Sequence, residues 1–146
     1  MKKIQLITDG ACIGNPGPGG WAFVLRYGRH KKECYGSEPH TTNNRMELRA
    51  AVEGLRALKE PCEVAIVTDS QYLKNGITTW IHHWKHNGWR TSDKRPVVNQ
   101  DLWHALDEQV ARHRTNWNWT KGHASHRDNN RRDELATRAA REQRGN

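Results

Sequence analysis

Cys62-Glu63-Val64-Ala65-Ile66-Val67-Thr68-Asp69 decides the fold. The run is short, apolar and rich in β-branched residues, and Pro61 and Asp69-Ser70 bound it. Its length and β-branched content predict a central, well-covered strand. Just upstream, Leu48, Ala51, Val52, Leu55 and Leu58 recur at helical spacing behind the polar start Thr41-Thr42-Asn43-Asn44, and Pro61 stops that helix. Downstream, Asp69-Ser70 caps a short helix that Gly76 is expected to end.

Residues 3–9 alternate through Ile4, Leu6 and Ile7 as a first strand, followed by a glycine- and proline-dense turn over 10–20. Residues 21–27 and 31–36 read as two further strands joined at Gly28, so three antiparallel strands open the chain. Residues 79–87 predict a helix broken by Gly88, residues 99–113 an amphipathic helix, 116–120 a last strand and 128–141 a basic last helix. No repeat or linker divides the 146 residues, so one α/β domain with a mixed sheet is expected.

Lys and Arg number 24 against 16 Asp and Glu, a formal charge of +8 that favours a polyanionic partner, nucleic acid ahead of acidic lipid. A hydrophobic fraction of 34% supports a lean core. No apolar run reaches the roughly 18–20 residues of a membrane span, and the N-terminus lacks the apolar stretch of a signal peptide. The three cysteines, Cys12, Cys34 and Cys62, neither close a disulfide set nor show zinc spacing, which makes them free thiols and the cytoplasm the expected compartment.

With acids in the minority, their positions are informative. Asp9 closes the first strand and Asp69 follows the strand at 62–68. If those strands are parallel neighbours, both carboxylates emerge at one sheet edge, where ligands of open α/β sheets bind. Glu47 near the start of the first helix and Asp133 in the last helix could join them. Four such groups repel unless divalent cations lie between them, and all-oxygen ligands select Mg²⁺ or Mn²⁺ over zinc. Two ions roughly 3.5–4 Å apart would activate water and stabilise a leaving oxygen. Spacing alone leaves the alternatives open: Asn44-x-x-Glu47 fits a capping box, Asp69 an N-cap, Asp133 an arginine partner and Asp9 a turn residue.

The residues around these acids carry a resemblance. Ile7-Thr8-Asp9-Gly10, Gly14-Asn15-Pro16-Gly17-Pro18-Gly19-Gly20, Thr41-Thr42-Asn43-Asn44-Arg45-Met46-Glu47-Leu48, Thr68-Asp69-Ser70-Gln71-Tyr72, Lys121-Gly122-His123 and Asp133-Glu134-Leu135-Ala136 stand in order. Through nearly its whole length the chain resembles ribonuclease H of the bacterial type 1 class. The resemblance implies a ribonuclease H-like fold, a five-stranded mixed sheet flanked by helices, and endonucleolytic cleavage of the RNA strand of RNA–DNA hybrids to 5′-phosphate and 3′-hydroxyl ends. It implies that Asp9, Glu47, Asp69 and Asp133 hold two metal ions, with Asp9 shared, and that His123 serves proton transfer or product release. Ser125, Arg127 and Asn130 depart from the family's frequent glycine, proline and acidic residue in that loop.

The resemblance also makes Cys12, Asn15, Asn43, Asn44 and Gln71 the contacts near the scissile strand, where amides suit 2′-hydroxyls. Residues 79–95 correspond to the basic protrusion that grips the DNA strand. Within it Trp80, Trp84 and Lys85, joined by Trp103 from the next helix, are expected to meet the backbone, although core packing explains indoles equally well. Nothing suggests a dimer, so a monomer is expected.

Overall fold

The computed structural model describes residues 1–120 together with Ala136, Ala139 and Ala140. Five strands form one mixed sheet: β1 (Lys2–Cys12), β2 (Gly17–Tyr27), β3 (His30–Thr41), β4 (Cys62–Thr68) and β5 (Arg114–Trp119), in the spatial order β3-β2-β1-β4-β5. β1, β2 and β3 are antiparallel, whereas β4 runs parallel to both β1 and β5. The apolar run at 62–68 is thus a central strand, as its composition requires.

Helix α1 (Asn43–Arg56) covers one face. Its residues Leu48, Ala51, Val52 and Leu55 pack with Ile4, Leu6, Phe23, Val64 and Ile66 in a single core. Ala136, Ala139 and Ala140 are helical and buried. Ala136 packs with Ala22 on the opposite face of the sheet, because Ala22 alternates with Trp21 and Phe23. The rest of the predicted last helix lies outside the described residues. No helix among the described residues is long and apolar enough to cross a membrane.

Two boundaries differ from the sequence expectation. The glycines at 17, 19 and 20 belong to β2 rather than to a turn, and β1 runs past Asp9 to pair Ala11 with Gly20 and Cys12 with Gly19. These glycines are packing residues: a Cβ on Gly19 would stand 2.3 Å from the Thr41 methyl, and one on Gly20 2.4 Å from the Ala136 carbonyl oxygen. The actual turn is residues 13–16. Gly28 does make the tight β2–β3 turn, at φ +57°.

Gly76 does not end the helix that begins behind Ser70. α2 (Gln71–Asn75) passes through a single π-helical turn (Gly76–Trp80) into α3 (Ile81–His86), and Gly76 itself keeps helical angles of −62° and −50°. It is glycine because the Trp103 indole of α4 (Gln100–Arg112) lies against it. A Cβ there would sit 2.0 Å from Trp103 Cη2. The expected break comes at Gly88, which has φ +64°.

At the other end of the sheet, His113 joins α4 to β5. Its buried Nδ1 accepts a 3.0 Å hydrogen bond from the Cys62 backbone N–H, so the ring proton resides on Nε2. Burial, and then the Arg112 charge, hold the imidazole below its ordinary pKa, with only the Leu55 carbonyl opposing them. Protonating Nδ1 would also remove the acceptor for Cys62.

Two predictions follow from these contacts. Gly76→Ala overpacks the Trp103 contact and should cost about 1–3 kcal/mol in urea denaturation. For His113 the unfolded state binds the extra proton more readily than the folded state. Its stabilisation is therefore complete above about pH 6.5 and is lost as the pH falls through the lower folded value. Unfolding free energies measured from pH 7.5 down to 5.5, values chosen to span about the ordinary histidine range, should decline more steeply for the wild type than for His113→Asn.

Candidate active site

β1 and β4 are aligned so that Ile7 pairs with Val67. Two residues further on stand Asp9, within β1, and Asp69, just past the end of β4, level at the C-terminal edge of the parallel pair. Glu47 comes from the second turn of α1, and one carboxylate oxygen from each of Asp9, Glu47 and Asp69 lies within 4.8 Å of the others. Asp9 and Glu47 are 6% and 8% exposed, and Asp69 is half-buried.

Local structure removes the simpler roles left open by spacing. The α1 cap is Thr42, whose side chain accepts from Arg45 N–H, so Glu47 is not placed for a capping box. The α2 cap is Ser70, which accepts from Leu73 N–H at 3.0 Å, and not Asp69. Asp9 lies inside a strand, not in a turn. Gly10 allows α1 to come close: a Cβ there would meet the Glu47 nitrogen at 2.5 Å. That approach brings Glu47 to the strand carrying Asp9.

The turn carrying Asp69 is pinned from several sides. The Thr68 Oγ1 accepts from Ser70 N–H at 3.0 Å, and the Thr68 carbonyl accepts from Thr120 N–H at 2.9 Å. The indole N–H of Trp119 donates to the Asp69 carbonyl at 3.0 Å. Sequence reading missed Trp119, although the alternation over 116–120 already set Trp117 and Trp119 on one face.

Asn43, Asn44 and Gln71 are exposed beside the cluster. Asn15 accepts from the Asn43 N–H at 3.0 Å and so ties the 13–16 turn to the start of α1. The Cys12 thiol donates toward the carbonyls of Gly14, Gly17 and Thr41, and burial raises its pKa, which keeps it protonated. His123 and Asp133 lie outside the described residues.

The tryptophans divide. Trp103 is fully buried, and its N–H donates to the Tyr72 hydroxyl at 3.1 Å. This corrects the expectation that it meets the backbone of a ligand, since no face of the ring reaches solvent. Trp84 packs edge-on against it at 5.3 Å and is half-buried, while Trp80 is 37% exposed. Lys85 is held by Asp107 at 2.7 Å. The indoles therefore support the basic segment, and most of its cations face outward.

The donor set consists of three carboxylates, two of them buried, with oxygens near enough to share one cation. Hard oxygen donors at that spacing fit a hard divalent ion such as Mg²⁺ or Mn²⁺.

The chain is similar to known proteins over nearly its whole length. The sequence model of the RNase H family matches residues 1–141. A "Ribonuclease H" of Solibacter usitatus is 70% identical over 98% of this chain and 98% of its own length. A "Ribonuclease HI" of Neisseria meningitidis is 58% identical over 95% of this chain and 96% of its own. Among solved structures, LC9-RNase H1, described as a type 1 RNase H with the type 2 active-site motif, superposes with a TM-score of 0.88. It is 33% identical over 98% of this chain and 74% of that one. The chain belongs to the ribonuclease H family, in its bacterial type 1 class, hydrolases that cleave the RNA strand of RNA–DNA hybrids.

Proposed function

We propose that this chain hydrolyses the RNA strand of RNA–DNA hybrids with two Mg²⁺ ions, Mn²⁺ being able to replace them, held by Asp9, Glu47, Asp69 and Asp133. The observation that carries this reading is the meeting of Asp9, Glu47 and Asp69 within 4.8 Å at the end of the parallel strand pair. Divalent ions bound there supply neutralisation of the scissile phosphate and a water acidic enough to attack near neutral pH.

The chain's own residues orient and exclude. Asp9 and Glu47, being buried, hold their carboxylates in fixed directions, and the pinned turn does the same for Asp69. Cys12 at the end of β1, Asn15 in the turn that follows, and Asn43, Asn44 and Gln71 at the starts of α1 and α2 border the site. There the amides can donate to and accept from a 2′-hydroxyl, which distinguishes RNA from DNA without reading bases. His123 moves the proton or assists departure of the product. The attacking water's oxygen bonds to phosphorus and the bond from phosphorus to the 3′-oxygen breaks. That oxygen takes a proton, which leaves a 5′-phosphate and a 3′-hydroxyl.

Residues 79–95, with Trp80, Trp84 and Lys85, grip the DNA strand. Their cations attract phosphates irrespective of sequence, so affinity should fall with salt. On this reading all 146 residues act as one domain, as a monomer in the cytoplasm.

Labelled RNA–DNA hybrid, double-stranded RNA and duplex DNA, each with Mg²⁺ or EDTA, test the proposal. Only hybrid with Mg²⁺ should be cut; equal cleavage of all three, or cleavage in EDTA, would overturn it. Asp9→Asn should lower turnover by about 10³-fold or more, about 4 kcal/mol of transition-state stabilisation, while hybrid binding persists in a gel-shift assay. Gly10→Ala retains every carboxylate but pushes α1 away from β1. It should raise the Mg²⁺ concentration for half-maximal rate by about tenfold or more, with a parallel weakening of Mg²⁺ binding by calorimetry.

A further inference from the structure

Arg45 stands two residues before Glu47 in α1, yet its side chain leaves that helix. The guanidinium donates to both carboxylate oxygens of Asp101 in the first turn of α4, at 3.0 and 2.8 Å. Its Nη1 also reaches the Asn99 side-chain oxygen at 3.3 Å. Asn99 precedes α4 in the left-handed conformation, at φ +61°, and does not cap the helix with its side chain. Instead its amide nitrogen donates to the Tyr72 hydroxyl at 3.1 Å, the same oxygen that accepts from Trp103. One guanidinium thus ties the start of α1, with Asn43, Asn44 and Glu47, to α4 and through Tyr72 to α2.

Helix α4 carries a second link. Six positions after Asp101, Asp107 holds Lys85 of α3 at 2.7 Å. The helix therefore has one acid facing the carboxylate cluster's helix and another facing the basic segment. The hydrogen bonds between Arg45 and Asp101 raise the pKa of the guanidinium and lower that of the carboxyl, so both stay charged at neutral pH. The Asp101 side chain is 65% exposed and Arg45 29%, so the pair adds little to stability. Its two-pronged geometry and shared third acceptor instead fix an orientation.

We infer that Arg45 is a positioning residue for hybrid cleavage: through Asp101 and Asn99 it sets the spacing between the carboxylate cluster and the basic segment 79–95, so that one rigid duplex meets both zones at once. The inference rests on the function proposed above and goes beyond it. Two contact zones on a stiff ligand act as linked binding modules, and their joint affinity depends on the geometry between them. A duplex too short to reach the basic segment does not sense that geometry.

The test uses Arg45→Met, Asp101→Asn, the double variant and Arg45→Lys. Each is assayed on a long hybrid and on one trimmed until Lys94→Ala no longer alters KM. On the long hybrid each neutral variant should raise KM about five- to tenfold, with kcat nearly unchanged, and the double variant should be no worse than either single. Arg45→Lys should recover only part of the loss. On the short hybrid all should match the wild type, and thermal midpoints should be nearly equal throughout. Equal losses on both lengths would overturn the inference, as would a fall in kcat alone, or an effect of Arg45→Met that Asp101→Asn does not share. A wild-type chain that cleaves no hybrid would instead remove the functional reading beneath it.

Discussion

The parallel pairing of β1 with β4 is the constraint on which the site depends. Backbone hydrogen bonds fix its register, with Ile7 against Val67, and that register sets Asp9 level with Asp69. A slip of one residue would reverse the faces of β4. Val64 and Ile66 would leave the α1 core and Asp69 would move out of line with Asp9. The same apolar contacts that make 62–68 a central strand therefore also aim the carboxylates. Burial of the core and placement of the site are one energetic event.

The third carboxylate depends on close approach between helix and sheet. Glu47 reaches the other two because Gly10 presents no side chain beneath α1. On the opposite face, Gly20 likewise admits the helical alanines, with Ala136 over it. Glycine in a strand costs conformational entropy and packs nothing itself, so its use here marks places where two backbones must meet. Packing at atomic contact converts these small residues into precise placement of large ones.

This is also where sequence reading stops. The period-2 and helical patterns over 3–9, 48–58, 62–68 and 99–113 located the strands and helices, because each reflects burial of a local face. Gly17, Gly19, Gly20 and Gly76 were read as turn or stop signals, since glycine's backbone freedom is visible in sequence and its lack of a Cβ against a distant neighbour is not. Trp103 shows the same limit. Its spacing permitted either a ligand-facing or a core indole, and only the Tyr72 hydroxyl and the Gly76 backbone decide for the core. Asp9, Glu47 and Asp69 were recognisable from surrounding motifs, whereas spacing alone could not exclude caps and turns. Arg45 left a fainter trace: no acid stands three or four residues away on its own helix, which points to a distant partner.

Charge completes the architecture through position rather than amount. The net +8 supplies a field that draws a polyanion toward the protein. Within that field, three carboxylates are held together by strand register and helix packing, against their mutual repulsion. A divalent cation relieves that repulsion only in the folded arrangement, so its binding and the folded geometry reinforce one another. Other acids perform mechanical tasks: Asp101 and Asp107 anchor α1 and α3 to the same helix through Arg45 and Lys85. On the proposed function, the basic segment's remaining outward charges would set affinity, and the internal pairs would set where that affinity is directed.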